Sequence, residues 1–343
     1  MIDPALPLID LHRHLDGSVR LETILDLGRR HGIELPAWDV EGLRPHVQVA
    51  EPEPGVMAFI ARFRWMTAVL VDLEACRRVA YESVADARQE GIDYVELRFS
   101  PWFMAETHGL DPEGVVEAVL DGVSAGARDF GLPTGTIGIL SRTYGPEIAR
   151  RELEALLRHR GRIVGLDLAG DEAGQPADLF VDHFRRARDS GWRVTVHAGE
   201  AAGPESVWKA LRELGAVRIG HAVRASEDPA LLDYMLERGI GIEANLTSNV
   251  QTRTVPGYGS HPLRRWLERG LLATINTDDP GISGIDLPHE YRVAAPAAGL
   301  APEQVRQAQR NALEIAFLSR EERDALARAK AVALGSGGAR EAR

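Results

Sequence analysis

One cysteine, Cys76, occurs in 343 residues, so no intramolecular disulfide can form and no metal site can be built on paired thiolates. Lysine is nearly as scarce: only Lys209 and Lys330 are present, and the remaining basic side chains are arginine. Positive charge is in deficit, with 40 Lys and Arg against 51 Asp and Glu, and a formal charge of −11 supplies no field to gather phosphates. Nucleic acid is therefore not an expected partner. No run reaches the ~18 apolar residues of a membrane span. The opening Met1-Ile2-Asp3-Pro4-Ala5-Leu6-Pro7 has an acid and prolines where a secretory signal carries basic and then apolar residues. A cytoplasmic protein without membrane contact is expected.

What is present suits a packed enzyme-sized domain. Hydrophobic residues make up 44% and charged residues 27%, ample for a core. A helical stretch ending at glycine, followed within a few residues by an apolar β-branched run, recurs at Gly91, Gly131, Gly161, Gly191, Gly215, Gly239 and Gly270. The runs read as buried parallel strands over 92–98, 136–140, 163–168, 193–197, 217–221, 240–244 and 272–276, with a first strand over 8–12. Eight βα units predict a closed (β/α)₈ TIM barrel. An open doubly wound sheet is the alternative, but it would separate the first strand from the last, and candidate site residues lie on both. The segment after the first helix, with Phe59, Ile60, Phe63 and Trp65, is expected to form extra helices, either as a lid over the barrel mouth or packed on the barrel wall, and the C-terminus is expected to be helical. A single domain is expected over 1–333, with the Gly, Ala, Ser and Arg-rich 334–343 frayed.

His12-Arg13-His14 closes the first strand, and a spacing of two puts both imidazoles on one face of an extended chain, where they can share an ion. The fifth strand ends in His197-Ala198-Gly199-Glu200, the sixth in His221 and the eighth in Asn276-Thr277-Asp278-Asp279-Pro280. Active sites of such barrels lie at the C-terminal ends of strands, where all of these fall. His31, His46, His108, His159, His183, His261 and His289 lie in expected helices or loops and are read as solvated or locally hydrogen-bonded. Without cysteine, His12, His14, His197 and Asp278 form a nitrogen and oxygen set suited to Zn²⁺, with Fe²⁺, Co²⁺ or Mn²⁺ also open. Four protein ligands plus water make the expected ion five-coordinate. Such an ion lowers the pKa of bound water from about 15.7 to roughly 7. Glu200 is placed to act as an acid, leaving His221 and Asp279 to orient the water and accept its proton. The fourth strand carries no lysine, which excludes a lysine-bridged pair of ions.

Four motifs stand in one order: Leu11-His12-Arg13-His14-Leu15-Asp16-Gly17, Asp167-Leu168-Ala169-Gly170-Asp171-Glu172, His197-Ala198-Gly199-Glu200 and Thr277-Asp278-Asp279-Pro280, with Tyr94-Val95-Glu96-Leu97-Arg98-Phe99-Ser100 between the first two. In that order and approximate spacing, from Leu6 to about Leu318, the chain resembles the adenosine deaminases of the amidohydrolase superfamily, especially bacterial members. The resemblance implies an enzyme of purine salvage with one zinc ion, hydrolysing the 6-amino group of adenosine and 2′-deoxyadenosine to give the inosine nucleoside and ammonia. By the same resemblance His12, His14, His197 and Asp278 would hold zinc, Glu200 would protonate purine N1, and His221 would help activate the water. Asp279 would bond to N7 and the water, the Gly170 N–H would meet N3, Asp16 would take a ribose hydroxyl, and Phe59 and Phe63 would belong to the lid. His14 borders the same nucleoside site. Two departures stand out, Ala222 where members commonly have glycine and the partly typical run Glu243-Ala244-Asn245-Leu246-Thr247-Ser248-Asn249; neither is expected to touch a ligand.

A sister deaminase acting on free adenine or an N6-modified adenine nucleoside is the nearest alternative. The resemblance argues against it at Asp16, where adenine-type relatives usually carry Glu and nucleotide-acting ones Asn. A catalytically silent nucleoside-binding protein is the alternative of another class, and such a chain should have lost Glu200 or a ligand. Zinc deaminases that flip bases need a Cys-x-x-Cys pair, which one cysteine cannot supply.

Overall fold

The structure, a computed structural model, describes residues 2–338. Eight strands pair in parallel in chain order: β1 (Ile9–His14), β2 (Tyr94–Phe99), β3 (Thr134–Ser141), β4 (Gly165–Ala169), β5 (Arg193–Ala198), β6 (Arg218–His221), β7 (Gly241–Ala244) and β8 (Leu272–Ile275). Nearly every strand residue is buried, as a sheet covered by helices outside and filled by side chains inside requires. The ring closes just beyond β8. There Asp278 N donates to His12 O (2.8 Å) and His14 N donates to Asp278 O (2.7 Å). That seam carries β1 through His14, two residues past its expected end, and it locks two motifs 264 positions apart in sequence into register, counting from His14 to Asp278. The expected barrel is the observed one.

Local signals explain most of the helix ends. Gly91, Gly131, Gly191, Gly215, Gly239 and Gly270 all adopt the left-handed conformation that glycine tolerates without a Cβ clash. Gly161 does not: the helix Gly145–Arg158 stops at His159, and Gly161 sits in a 3₁₀ turn, Arg160–Arg162, that feeds the chain into β4. Between the first helix, Leu21–His31, and the helix Leu73–Gln89 lie the extra helices Val40–Val47, Val56–Ile60 and Arg64–Ala68, with a 3₁₀ turn at Ala61–Phe63. Val56, Phe59, Ile60 and Phe63 line the cavity at the barrel mouth, so this segment is its roof.

After β8 the helix Pro302–Ile315 returns to the barrel, where Asn311 Nδ2 donates to Ala273 O (2.8 Å). The last helix, Arg320–Gly338, extends through 334–338, where fraying was expected. Its alanine-rich stretch Ala325-Leu326-Ala327-Arg328-Ala329-Lys330-Ala331, before that boundary, has high helix propensity. Residues 339–343 of the expected tail lie outside the described residues. Among the described residues no helix is long and apolar enough to cross a membrane.

Candidate active site

His12 and His14 alternate with Arg13 on β1, so both imidazoles point into the barrel while Arg13 points out to a bidentate pair with Glu90 (2.9 and 2.7 Å). His197 near the end of β5 meets them: its Nε2 lies 3.0 Å from His12 Nε2 and 3.1 Å from His14 Nε2. Asp278 Oδ1 completes the group at 3.1 Å from His12 Nε2 and 3.3 Å from His14 Nε2. Two overlapping sets of donors lie within 4.8 Å, one of His12, His197, His221 and Asp278 and one of His14, Asp278 and Asp279. His221 stands further back, its Nε2 3.8 Å from the other Asp278 oxygen, so the tight group is His12, His14, His197 and Asp278.

The chemistry of the donor set fits a bound cation. His12 Nδ1 lies 2.7 Å from Glu243 Oε2, and His197 Nδ1 lies 3.0 Å from Asp167 Oδ2. Carboxylates only accept, so both rings carry their proton on Nδ1 and turn an Nε2 lone pair inward. Two such lone pairs 3.0 Å apart, with a carboxylate oxygen beside them, cannot hydrogen-bond to one another. A divalent cation between them removes the repulsion, and imidazole with carboxylate suits zinc.

Below the cluster the barrel interior is polar. Arg98, wholly buried, bridges Asp167 (2.8 Å) and Glu243 (2.9 Å) and also reaches Leu11 O (2.6 Å). Arg218 joins Glu243 to Glu96 at 2.7 and 2.5 Å. Burial opposes the Asp167 and Glu243 charges, yet the neighbouring His197 and Arg98, and Arg98 and Arg218, hold their pKa values below the ordinary carboxylate range. The Arg98 guanidinium thus contributes to holding the charge of both carboxylates that orient the histidines. The expectation that the run from Glu243 to Asn249 touches no ligand is overturned at Glu243, which holds His12; at its other end Asn249 holds His221 (2.9 Å). Ala222 itself is buried and left-handed (φ 55°), a conformation that favours glycine.

Glu200 sits on the loop that leaves β5. The buried Glu172 carboxylate gathers that loop, accepting from the N–H groups of Gly199 (2.6 Å), Glu200 (3.1 Å), Ala201 (2.7 Å) and Ala202 (3.0 Å). Burial, then the charges of Asp278, Glu172 and Asp279, push the Glu200 pKa well above its usual value, toward the protonated acid. Burial drives His221 the other way, toward its neutral form. Asp279 is raised by burial and by Asp278.

Two adjoining cavities share His14, Ile60, Phe63, Ala169 and Gly170. One also touches Glu200, His221, Asp278, Asp279 and Phe59; the other reaches Asp16, Ser100, Thr143 and Tyr144. Asp16 Oδ1 and Asp279 Oδ1 are buried without a hydrogen-bond partner, one at each end. Among the described residues neither lining includes a Lys or Arg. Gly170 has φ 108°, and a Cβ there would meet Thr143 Oγ1 at 2.3 Å, so only glycine lets the chain pass at this wall. A larger cavity of about 610 Å³ lies outside the barrel; Arg13 and Arg20 in its wall are held by Glu90 and Asp86, and none of the clustered histidines reaches it.

Beneath Asp16, Ser100 N donates to Asp16 Oδ2 (3.2 Å) and Ser100 Oγ donates to Glu152 Oε1 (2.6 Å). Burial pushes Glu152 up to about 7, against bonds from Ser100 and the N–H groups of Ser141 and Trp102. The folded chain then holds a proton that the unfolded chain has already released between its ordinary 4.5 and about 7. Stability from this group is full below that window and declines as pH rises through it, by on the order of 3 kcal/mol. Glu152→Gln should flatten that part of the curve in denaturant unfolding from pH 4.5 to 7; matching slopes in both proteins would refute the assignment.

The barrel, with imidazole and carboxylate donors beside isolated acids at its strand ends, has the architecture of metal-dependent hydrolases. The family model for adenosine deaminase matches residues 7–331, and the chain belongs to that family. It is 61% identical to an adenosine deaminase of Klebsiella pneumoniae over 326 residues, 95% of this chain and 98% of that one. The solved adenine deaminase of Arthrobacter aurescens superposes with a TM-score of 0.88 at 25% identity, covering 96% of this chain and 99% of that one. An amidohydrolase of Burkholderia ambifaria, solved with bound Zn, gives a TM-score of 0.86 at 25% identity over 97% and 92% of the two chains.

Of the residues singled out in the sequence, all those assigned to metal, water or purine meet at this one rim, with Phe59 and Phe63 above them. Arg98, Glu172, Asn249 and His261 were missed as participants. A signal was present for Arg98, as for Glu243, since an ionisable residue inside an apolar strand run has to be paired once buried; Glu172, Asn249 and His261 lie outside the strands and carried none of that kind.

Proposed function

We propose that this protein hydrolyses the 6-amino group of adenosine and 2′-deoxyadenosine, releasing ammonia and the inosine nucleoside, with one Zn²⁺ held by His12, His14, His197 and Asp278. The carrying observation is that Glu200, a buried carboxyl, shares one small cavity with the donor cluster, and that burial and the neighbouring carboxylates push its pKa upward. A bound ion supplies Lewis acidity that makes water a nucleophile at neutral pH. Glu200 gives its proton to N1, which draws electrons from C6 as water attacks that carbon. Of the two water protons, one leaves with the amine and one restores Glu200. Asp279 bonds to N7 and the water, and the Gly170 N–H meets N3.

Asp16, with one oxygen unpartnered, takes a ribose hydroxyl, and Phe59 and Phe63 exclude bulk water from above. With no Lys or Arg in either cavity lining among the described residues, a 5′-phosphate would find no guanidinium or ammonium to meet it near Asp16, which favours an unphosphorylated nucleoside. The 61% identity to an adenosine deaminase supports the same substrate.

The test is a panel of adenosine, 2′-deoxyadenosine, free adenine and adenosine monophosphate, followed by ultraviolet spectroscopy and ammonia release with zinc-loaded protein. Turnover of the two nucleosides, orders of magnitude above the others, is expected. Preference for free adenine would transfer the assignment to the sister activity, and no turnover with any metal would favour a silent binding protein.

A further inference from the structure

His261 lies outside the cavity wall, yet it is buried (3% exposed) on the segment that enters the helix Leu263–Arg269, packed edge-on against Trp266. Its two ring nitrogens have unequal partners. Leu263 N lies 3.1 Å from His261 Nδ1, and a backbone N–H can only donate, so Nδ1 is an acceptor without a proton. The ring proton therefore sits on Nε2, which donates to Asn249 Oδ1 at 3.2 Å. That contact fixes the Asn249 amide, which could otherwise be placed either way round. Its Nδ2 then faces His221 Nδ1 at 2.9 Å and, as an amide N–H, donates to it. Asn245 Nδ2 lies nearer to the same nitrogen, at 3.3 Å, than to His221 Nε2, at 3.5 Å. With Nδ1 of His221 accepting, the proton of its neutral ring must lie on Nε2, the nitrogen that faces Asp278 Oδ2 at 3.8 Å.

We infer that His261, through Asn249, is a positioning residue that fixes the tautomer of His221, making His221 a hydrogen-bond donor to the attacking oxygen and not the acceptor of its proton. A single unambiguous donor, the Leu263 N–H, propagates through two side chains to the reacting centre. The role expected from sequence, in which His221 could take the water proton, changes accordingly. His221 keeps its Nε2 proton throughout, and Glu200, once it has given its proton to N1, is the neighbouring group left to receive a proton of the water. Preorganised donors aimed at a developing oxyanion are worth about 10²- to 10³-fold in rate when one is removed. This inference rests on the proposed deamination for the meaning of the donor, but not for the tautomer itself.

The test is therefore spectroscopic first. In the zinc-loaded protein with ¹⁵N-labelled histidine, His221 should show a protonated Nε2 and a bare Nδ1, readable with no substrate present. The opposite pattern would overturn the inference even if adenosine is turned over. A failure of turnover with the expected pattern would count against the deaminase reading alone. Two variants follow. His261→Leu removes the donor that holds Asn249, and should mix the two His221 tautomers and lower kcat by about 10- to 100-fold with zinc content unchanged. His261→Gln can still donate an amide N–H to Asn249, and should recover most of both the spectrum and kcat. Equal losses in the two variants, with the His221 spectrum unaltered, would reduce His261 to a packing residue.

Discussion

Glu200→Gln should bind as much zinc as the parent protein and lose turnover by a factor of about 10² to 10⁴, the usual worth of a positioned general acid. Glutamine keeps the size and can accept from Asn249 Nδ2 and Thr252 Oγ1, each 3.5 Å from Glu200 Oε1, so the pocket should be little disturbed. It cannot give up a proton to N1. Burial and the surrounding carboxylates favour the protonated acid, so the parent should hold its rate through neutral pH and lose it only on the alkaline side as Glu200 ionises. In the variant that alkaline limb should disappear with the activity. The check is kcat and kcat/KM from acid to alkaline pH on both proteins, with metal content measured in parallel. Turnover within a few-fold of the parent would remove Glu200 from the chemistry.

Removal of the ion should have the larger effect on the molecule as a whole. A chelator should abolish turnover, and Zn²⁺ should restore it. The same treatment should lower the melting temperature, because His12 and His197 present lone pairs 3.0 Å apart that only a cation reconciles. Free zinc at a thousand times its dissociation constant would stabilise the folded state by about 4 kcal/mol by mass action. His197→Ala should lose activity and zinc-dependent stabilisation together. Glu243→Gln leaves all four ligands in place but weakens the grip on His12 Nδ1, and should cost roughly 10- to 100-fold in zinc affinity. Thermal melts over a zinc titration decide the matter: a melting temperature indifferent to zinc, with activity intact, would remove the ion from both fold and chemistry.

The (β/α)₈ architecture was legible because each signal for it is local. An apolar β-branched run needs burial on both faces, a left-handed helix end needs glycine, and both requirements are met within a few residues of chain, as at Gly131 before β3 and Gly239 before β7. The ligand residues were legible for a related reason. A spacing of two on an extended strand puts His12 and His14 on one face whatever else the chain does, and Asp278 falls at a strand end where barrel chemistry lies. Gly161 was misread because one glycine is compatible with either a left-handed helix end or a tight turn, and the choice depends on how the following strand is reached.

The sequence by itself determined the elements, their order, the ligand types and the absence of thiolate or lysine chemistry, since these follow from residue identity and short-range geometry. Only the tertiary structure decided which nitrogen of each histidine faces inward. That depends on groups brought together across the barrel: Glu243 against His12, Asp167 against His197, and the path from Leu263 through His261 and Asn249 to His221. A proton's position on an imidazole is set by whichever donor or acceptor folding places beside it, and no spacing within one strand carries that information.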